Sequence, residues 1–327
     1  MRPRTPPSFS IAIAAYQAAA TIGDALESAF AQTLPPLDVA VCDDGSTDGL
    51  EAAVAPWRDG IAFVRQENRG EAAAKNAAAR ATSGEFVAFL DADDRYHTER
   101  LEALAELAGA RPDLDVLTTN ADLEVEGEVV GRYYPDIAPA FPTEDQSLAI
   151  IRRDTAVFGA AAVRREVFES VGGLNERLRS GDDWELWMLL ALAGSSFGLV
   201  DEPLYRYRVH QHGTSADQLR GSREAVEIFE RVLANAQPGT PEREALEQGL
   251  AHHRRIAELT AAEHALRNRM PDRRRRSLAI AAAPDYGAAT RLKAVFAAGF
   301  PGLAGRQLER REARAGHSRL RKPMPGG

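Results

Sequence analysis

The sequence predicts an α/β fold in which a mostly parallel central sheet is flanked by helices and followed by a C-terminal helical extension. Strand-like and helix-like segments alternate four times in about the first 110 residues, a pattern typical of parallel βαβ units. Acidic clusters follow the second and fourth strands, at the sheet edge where such folds bind ligands. From about Asp217 onward the pattern is helical alone.

The first half of the chain contains four apolar runs of strand length: Phe9–Ala15, Asp38–Cys42, Ile61–Arg65 and Phe86–Leu90. Helices are predicted between and after them, from helical spacing of apolar residues or from alanine content: Thr21–Thr33, Asp48–Trp57, Glu71–Ala81 and Thr98–Ala108. Thr21 suits a helix N-cap, and Pro35 and Pro36 end the first helix.

The middle of the chain is less regular. We expect a hairpin from Asp115–Val125 and Val129–Tyr134, because Glu126-Gly127-Glu128 between them suits a turn. The remaining segments are a short strand, a helix and two edge strands: Ala160–Val163, Asp183–Ala193, Phe197–Val200 and Leu204–Val209. Two long helices follow, Ser222–Ala236 and Thr240 to about Arg269. We therefore predict two regions, 1–215 and 216–327, the second with a basic, partly disordered tail.

Composition excludes several classes of protein. With 44% hydrophobic and 27% charged residues in 327, the chain is neither disordered, collagen-like nor a coiled coil. Its single cysteine, Cys42, excludes an intrachain disulfide and a cysteine-based zinc site. The N-terminus has no apolar core of signal-peptide length, and no apolar run reaches the roughly 18 residues of a membrane span, so we predict a cytoplasmic protein.

The net charge of −8 is unevenly distributed. Residues 271–327 hold 13 Lys/Arg against 4 Asp/Glu, so the rest of the chain is strongly acidic. An acidic body with a basic tail does not suit a nucleic-acid enzyme. The tail suits peripheral contact with an anionic membrane at the inner face of the cell, and it equally suits a solvated helix, so both alternatives stay open.

The run Asp91-Ala92-Asp93-Asp94 is the sharpest chemical feature. Two carboxylates two residues apart after a strand can share Mg²⁺ or Mn²⁺ with a diphosphate, because these ions prefer oxygen ligands. A short acidic turn exposed to water is the alternative for this motif alone. The buried strand before it favours a cation, which would offset the repulsion between the acids.

Three further clusters carry candidate residues. Asp43 and Asp44 precede Gly45, in a turn where an acid could accept the ring N–H of a pyrimidine base. Asp182 and Asp183 open a helix, where acids are also favoured by the helix dipole; either could be a general base. The fourth cluster alternates Tyr and Arg before a histidine that could serve a metal or phosphate: Tyr205, Arg206, Tyr207, Arg208 and His210.

Taken in order, these clusters resemble the family 2 glycosyltransferases, which are inverting enzymes with the GT-A fold. The resemblance covers about residues 8–215 and is carried by eight motifs: Ser10–Gln17, Cys42–Asp48, Glu67–Gly70, Lys75–Asn76, Ser83–Asp94, Gly172–Arg177, Gly181–Trp187 and Leu204–His210. Gln17 stands where the family usually has Asn, Lys75 where it has Arg, and Asp182 where Glu is common.

The resemblance implies a nucleotide-diphosphate sugar as donor, with a UDP-sugar favoured, and Mn²⁺ or Mg²⁺ as cofactor. It implies that Tyr16 stacks on the base, Asp44 binds the base and Asp91 approaches the ribose. It implies Lys75 and Arg206 on the donor side, Asp93 and His210 at the metal with Asp94 as a competing ligand, and Asp183 as the general base.

The implied acceptor is a saccharide or lipid-linked hydroxyl compound in cell-surface polysaccharide or glycolipid synthesis. A catalytically inactive nucleotide-sugar-binding module is the alternative. A dinucleotide dehydrogenase and a sugar-nucleotide synthesising enzyme would each need a glycine-rich loop after the first strand, where this chain has Ala15-Tyr16-Gln17-Ala18. A phosphatase of the haloacid-dehalogenase type would carry its Asp-x-Asp on the first strand, not the fourth.

Overall fold

The computed structural model describes residues 7–209 and 218–308. The chain divides into two compact units. Unit 1 comprises Met1–Ala216 and Ile228–Gly249, and unit 2 comprises Asp217–Glu227 and Leu250–Gly327. The regions predicted from sequence, 1–215 and 216–327, stay a prediction.

In the described residues, unit 1 contains a nine-stranded sheet. Its strands are β1 Phe9–Ala15, β2 Val39–Asp43, β3 Ala62–Arg65, β4 Phe86–Asp91, β5 Arg95–Tyr96, β6 Val116–Val125, β7 Glu128–Arg132, β8 Ala162–Arg164 and β9 Phe197–Arg208. The order is β3-β2-β1-β4-β8-β6-β9-β5, with β7 paired to β6. The first four strands are parallel, as the βαβ pattern predicts, whereas β8 is antiparallel to both neighbours.

The helices of the described residues are α1 Ile22–Phe30, α2 Leu50–Ala53, α3 Glu71–Arg80, α4 Arg100–Ala110, α5 Gln146–Arg152, α6 Arg165–Ser170, α7 Asp182–Leu192, α8 Gln218–Asn235, α9 Pro241–Arg267, α10 Arg273–Ala282 and α11 Ala288–Gly299. Helix α3 is alanine-rich on its buried face, and it packs on β1 and β2. Small side chains there let the helix backbone approach the sheet closely. This approach carries Lys75 of α3 into a buried position.

Two elements differ from the sequence prediction. The helix predicted over Asp48–Trp57 is only one turn long in α2, followed by a 3₁₀ helix at Ala55–Gly60, because Pro56 lacks the N–H that would continue the ladder. The two predicted edge strands form one strand, β9, which lies between β6 and β5. Its register against β6 shifts beside Asn120, and the irregularity accommodates Pro203 within the strand.

The main apolar cluster of unit 1 packs helices α1 and α4 against one face of the sheet, and a charged residue is buried beside it. Arg100, at the start of α4, is completely buried. Its guanidinium donates a hydrogen bond to the carbonyl oxygen of Ala160 at 2.6 Å and stacks 4.7 Å from the ring centre of Tyr96. These contacts join α4 to the segment before β8 and replace part of the water that a buried cation loses.

In unit 2, helices α10 and α11 pack through a small core of Ala262, Ile280, Tyr286 and Ala294. A further helical segment spans residues 301–308. An apolar groove of about 780 Å³ lies beside α11, lined by residues such as Leu266, Ile280 and Phe296. Among the described helices, none is both long enough and apolar enough to cross a membrane.

Candidate functional site

Three neighbouring strands end at one edge of the sheet. Strand β1 lies between β2 and β4, with Ala15 opposite Asp43 and Ala14 opposite Asp91. The loops after these strands therefore start side by side. They carry Tyr16, whose side chain is 53% exposed, and both acidic clusters. Side chains that are distant in sequence thus surround one surface.

Asp44 is held by the loop that follows β3. Its carboxylate accepts hydrogen bonds from the side chain of Gln66 at 2.7 Å and from the backbone N–H groups of Arg69 and Gly70, each at 2.8 Å. The residue is almost fully buried. The motif Glu67–Gly70 thus immobilises Asp44. A carboxylate has about four acceptor positions, so three bonds leave capacity for one more donor.

Gln17 connects the loop after β1 to the turn after β2. Its backbone N–H donates to the Ser46 hydroxyl at 2.9 Å, and its side chain exchanges hydrogen bonds with Thr47 at 3.0 and 3.1 Å. The residue has a φ of 51°, in the left-handed region. Gln17 therefore positions Tyr16 beside the Asp43–Asp44 turn.

Lys75 joins the acids of the site. Its ammonium lies 2.8 Å from the Asp91 carboxylate and 2.7 Å from that of Glu71. Burial lowers the pKa of Lys75, but the charges of Asp91 and Glu71 outweigh burial and raise the pKa well above its usual value. Burial raises the pKa of Asp91, and the Lys75 charge opposes that rise. Lys75 is therefore a permanent cation beside Asp91.

Asp93 and Asp94 differ sharply in their surroundings. Asp94 is buried, and it accepts hydrogen bonds from the Tyr205 hydroxyl at 2.8 Å and the Arg208 backbone N–H at 2.7 Å. Burial and the charge of Asp91 raise the pKa of Asp94 to about 8. Asp93 is only half-buried. The structure thus uses Asp94 to attach β9 to the acidic loop, and Asp93 is the more accessible carboxylate.

Asp183 stands in the first turn of α7, where its carboxylate accepts the backbone N–H of Trp184 at 2.7 Å. Burial raises the pKa of Asp183, and the positive charge of Lys75 opposes that rise. The neighbouring Asp182 has a pKa raised to about 7 by burial and by the charge of Asp183. The Lys75 charge acts on the pKa of Asp91, Asp182 and Asp183 alike. The acids Asp182 and Asp183 therefore lie near the Asp91–Asp94 cluster.

Two predicted residues are not joined to this group by a described contact. Arg206 forms an ion pair with Glu124 at 3.5 Å. Since side chains alternate along a strand, Arg206 projects to the opposite side of β9 from Tyr205, which contacts Asp94. The donor role of Arg206 stays a prediction. His210 lies outside the described residues.

Sequence reasoning missed Tyr205 and Asn76 as organisers of the site. The Tyr205 hydroxyl lies 3.3 Å from the backbone N–H of Asp91 as well as bonding Asp94. The Asn76 side chain exchanges hydrogen bonds with the backbone of Leu174 at 2.8 and 3.0 Å, joining α3 to the segment before α7. The period of two in the Tyr-Arg-Tyr-Arg run is the signal that could have singled out Tyr205.

The acidic residues suit a cation only in combination with another ligand. Within residues 7–209 and 218–308, no three His, Cys, Asp or Glu side chains are grouped to hold a metal ion. Mg²⁺ typically takes one or two carboxylates and completes its shell with phosphate oxygens and water. Burial is the largest cause of the raised pKa of Asp91 and of Asp94, and repulsion by the charge of Asp93 adds a smaller contribution to both. The site therefore fits a cation that arrives with a phosphate-bearing ligand.

Comparison with known proteins identifies one family across about half of the chain, 163 of its 327 residues. Residues 10–172 match Glycosyl transferase family 2. A chondroitin synthase from Escherichia coli is 30% identical over 219 residues, which is 65% of this chain and 30% of that protein. The chain thus spans less than a third of that relative's length.

Solved structures share the fold. S. aureus TarS 1–349, in complex with UDP-GlcNAc, has a TM-score of 0.60 at 19% identity, covering 94% of this chain and 92% of the other. The mannosyltransferase PcManGT from Pyrobaculum calidifontis, in complex with GDP-Man and Mn²⁺, has a TM-score of 0.54 at 22% identity, covering 94% and 84%. The expected α/β architecture of the GT-A type, with helices after it, is confirmed.

Proposed function

Because this chain belongs to glycosyl transferase family 2 over its residues 10–172, we propose that it transfers a sugar from a nucleotide-diphosphate donor to a hydroxyl acceptor with inversion at the anomeric carbon. A UDP-sugar is the favoured donor, and Mn²⁺ or Mg²⁺ the favoured cofactor. The acceptor belongs to cell-surface polysaccharide or glycolipid synthesis. The observation that carries the proposal is the ion pair of Lys75 with Asp91 at 2.8 Å, whose cation also acts on the pKa of Asp183.

The donor nucleotide lies in this proposal across the carboxyl ends of β1, β2 and β4. Tyr16 is exposed and stacks on the base, and the remaining acceptor capacity of Asp44 receives a base N–H. Asp91 accepts from a ribose hydroxyl, and the neighbouring Lys75 charge favours its ionised form. Lys75 also limits the net negative charge that the diphosphate meets in the cleft.

Asp93 is the proposed protein ligand for the metal, and His210 the proposed second ligand. A bound divalent cation would neutralise charge on the departing nucleoside diphosphate. Asp94 is less suited to this role because it is almost fully buried beneath β9, whose Tyr205 and Arg208 bond both of its oxygens. The half-buried carboxylate of Asp93 supports its assignment over Asp94.

Asp183 is the proposed general base. Its pKa is raised by burial, so the carboxylate is a stronger base than one in water. It removes the proton of the acceptor hydroxyl as the oxygen attacks the anomeric carbon from the side opposite the diphosphate. The carbon–oxygen bond to the diphosphate breaks in the same displacement, so the configuration inverts.

The experiment compares Asp93→Asn, Asp94→Asn and Asp183→Asn. We expect Asp93→Asn to lose at least about 90% of the Mn²⁺-dependent gain in UDP affinity, measured by calorimetry, because a carboxylate ligand is gone. Asp183→Asn should keep that affinity and lose transfer by on the order of 10³-fold, measured as glycoside product from a UDP-sugar panel.

The variants also separate the alternatives. UDP affinity that tightens with Mn²⁺ but never leads to donor hydrolysis or transfer would identify an inactive binding module. If Asp94→Asn abolishes the Mn²⁺ effect and Asp93→Asn does not, the metal assignment is wrong. A product that retains the donor's anomeric configuration, read from its NMR coupling constants, contradicts the single displacement.

We also propose that unit 2 holds the enzyme peripherally on an anionic membrane at the inner face of the cell. Five large apolar side chains in α11 and after it are exposed: Leu292, Val295, Phe296, Phe300 and Leu303. Leu292 precedes Val295 and Phe296 by three and four residues, so these three side chains share one face of α11, and Phe300 and Leu303 follow the end of that helix. Residues 271–327 carry nine more positive than negative charges, and an amphipathic helix with basic flanks binds anionic lipid interfaces.

A further inference from the structure

The Asp183 carboxylate packs directly against the backbone of residue 159, which is glycine. A Cβ at Gly159 would lie 2.7 Å from the Asp183 carboxylate, too close for any real side chain. The neighbouring Phe158 is buried and packs between the rings of Tyr133 and Tyr207, with ring centres 4.7 and 6.1 Å away. Through Phe158, the half-buried Tyr133 and Tyr207 thus lie beside the glycine that the Asp183 carboxylate contacts.

Arg153 lies near the same carboxylate. It directly follows α5, and its guanidinium lies 3.9 Å from the ring centre of Trp184, the residue after Asp183. The Trp184 indole also donates to the Ile150 carbonyl at 3.3 Å, which holds the end of α5 against the start of α7. The charge of Arg153 contributes to lowering the pKa of Asp183, although burial dominates and raises it.

Arg153 is exposed, so its guanidinium can be reached by an external partner. Across the part of the chain that the structure describes, no carboxylate lies within salt-bridge distance of it. Arg153 also has a φ of 58°, in the left-handed region that favours glycine after a helix. A non-glycine residue costs about 1 kcal/mol there, so the arginine is not explained by local backbone preference.

We propose that Arg153 binds an anionic group of the sugar acceptor, a carboxylate or a phosphate, and so presents the acceptor hydroxyl to Asp183 across Gly159. This inference rests on the proposed function, because it takes Asp183 as the base. Stacking places the exposed guanidinium 3.9 Å from the Trp184 ring centre, and a guanidinium can bind a carboxylate or a phosphate in a bidentate contact. The tyrosines supply the flat surfaces on which a sugar ring packs.

Three glycosides that differ only at C6 test the proposal: p-nitrophenyl β-D-glucoside, its 6-phosphate and p-nitrophenyl β-D-glucuronide. Their affinities are measured by ligand-observed NMR with the full chain in the presence of UDP. We expect at least one anionic glycoside to bind about tenfold more tightly than the neutral one. Which of the two is preferred distinguishes phosphate from carboxylate.

Arg153→Gln should abolish this preference, and the matched variant Arg152→Gln, at the neighbouring exposed arginine, should retain it. Gly159→Ala should weaken all three glycosides alike, because its methyl group displaces the Asp183 carboxylate, which contacts the acceptor hydroxyl whatever the charge at C6. Equal binding of the three by the wild type, binding of none, or a preference that survives Arg153→Gln overturns the inference. A wild type that fails to bind UDP contradicts the proposed function instead.

Discussion

At the residue scale, hydrogen bonds separate acids that look equivalent in the sequence. Asp93 and Asp94 are adjacent, yet Asp94 is buried under Tyr205 and the backbone of Arg208. Asp91 is compensated by Lys75, at 2.8 Å. The carboxylates of the cleft thus have different partners, and each partner is contributed by another part of the fold. Different environments allow chemically identical groups to take different roles.

Crowding of these acids predicts a pH-dependent stability for the ligand-free protein. The pKa of Asp182 is raised to about 7 by burial and by Asp183. Between about pH 4 and pH 7 the unfolded chain loses this proton while the folded chain keeps it, so the free energy of unfolding falls as pH rises. Asp182→Asn should remove this fall in the free energy of unfolding. Compared with the wild type, the variant should therefore gain on the order of 1 kcal/mol of stability between about pH 4 and above pH 7.

Urea unfolding at about pH 4.5 and pH 8 measures this component. Asp59→Asn, at an exposed aspartate of the 3₁₀ helix, is the control and should follow the wild type at both pH values. An Asp182→Asn variant that loses stability with pH as steeply as the wild type would show that burial of this carboxyl has no energetic consequence.

At the element scale, the turns after the strands carry the site while the strands only align them. The turn after β2 contains Gly45, with a φ of 80°. A Cβ there would lie 3.0 Å from the backbone nitrogen of Asn68, in the loop whose next two N–H groups hold Asp44. Glycine is required at this position for both conformation and space.

Gly45→Ala should therefore lose about 1–2 kcal/mol of stability and at least about tenfold in UDP affinity, because the loop that holds Asp44 must shift. Gly49→Ala is a matched control, since Gly49 has a φ of 91° and open space around its Cβ position. It should lose stability alone. Urea unfolding and calorimetry with UDP measure the two effects, and equal losses of affinity in both variants would contradict the role of the loop.

At the scale of the whole molecule, the two units differ in chemistry. Unit 1 contains the family match and every described residue of the candidate site. Unit 2 lies wholly outside the match and exposes apolar and basic groups. A division between a catalytic unit and an attachment unit accounts for a basic tail on an acidic chain.

Vesicle flotation tests the attachment. The full chain should float with vesicles of about 70:30 phosphatidylcholine and phosphatidylglycerol, and about tenfold less with phosphatidylcholine alone. Replacing Leu292, Phe296 and Phe300 by Ser should reduce flotation on anionic vesicles by about tenfold as apolar contact is lost.

The control for this change is Val129→Ser with Val130→Ser, at exposed apolar residues of β7 in unit 1. That variant should float like the wild type. Flotation that persists after the α11 changes, or a triple variant that instead loses self-association without lipid, would refute membrane docking by this face.

The sequence by itself determined the βαβ order, the positions of the acidic clusters and the change to helices near residue 217. These features follow from local periodicity and composition, which do not depend on distant residues. The hairpin at Asp115–Tyr134 followed in the same way and is confirmed by β6 and β7. The family's motifs were readable because they are short and contiguous.

Only the tertiary structure decided which side chains meet. The continuous strand β9, the burial of Asp94, the Lys75–Asp91 pair and the approach of Arg153 to Trp184 each join segments separated along the chain. No local pattern specifies such contacts, because they depend on how the helices pack on the sheet and on how opposite charges that are buried together offset each other's loss of hydration.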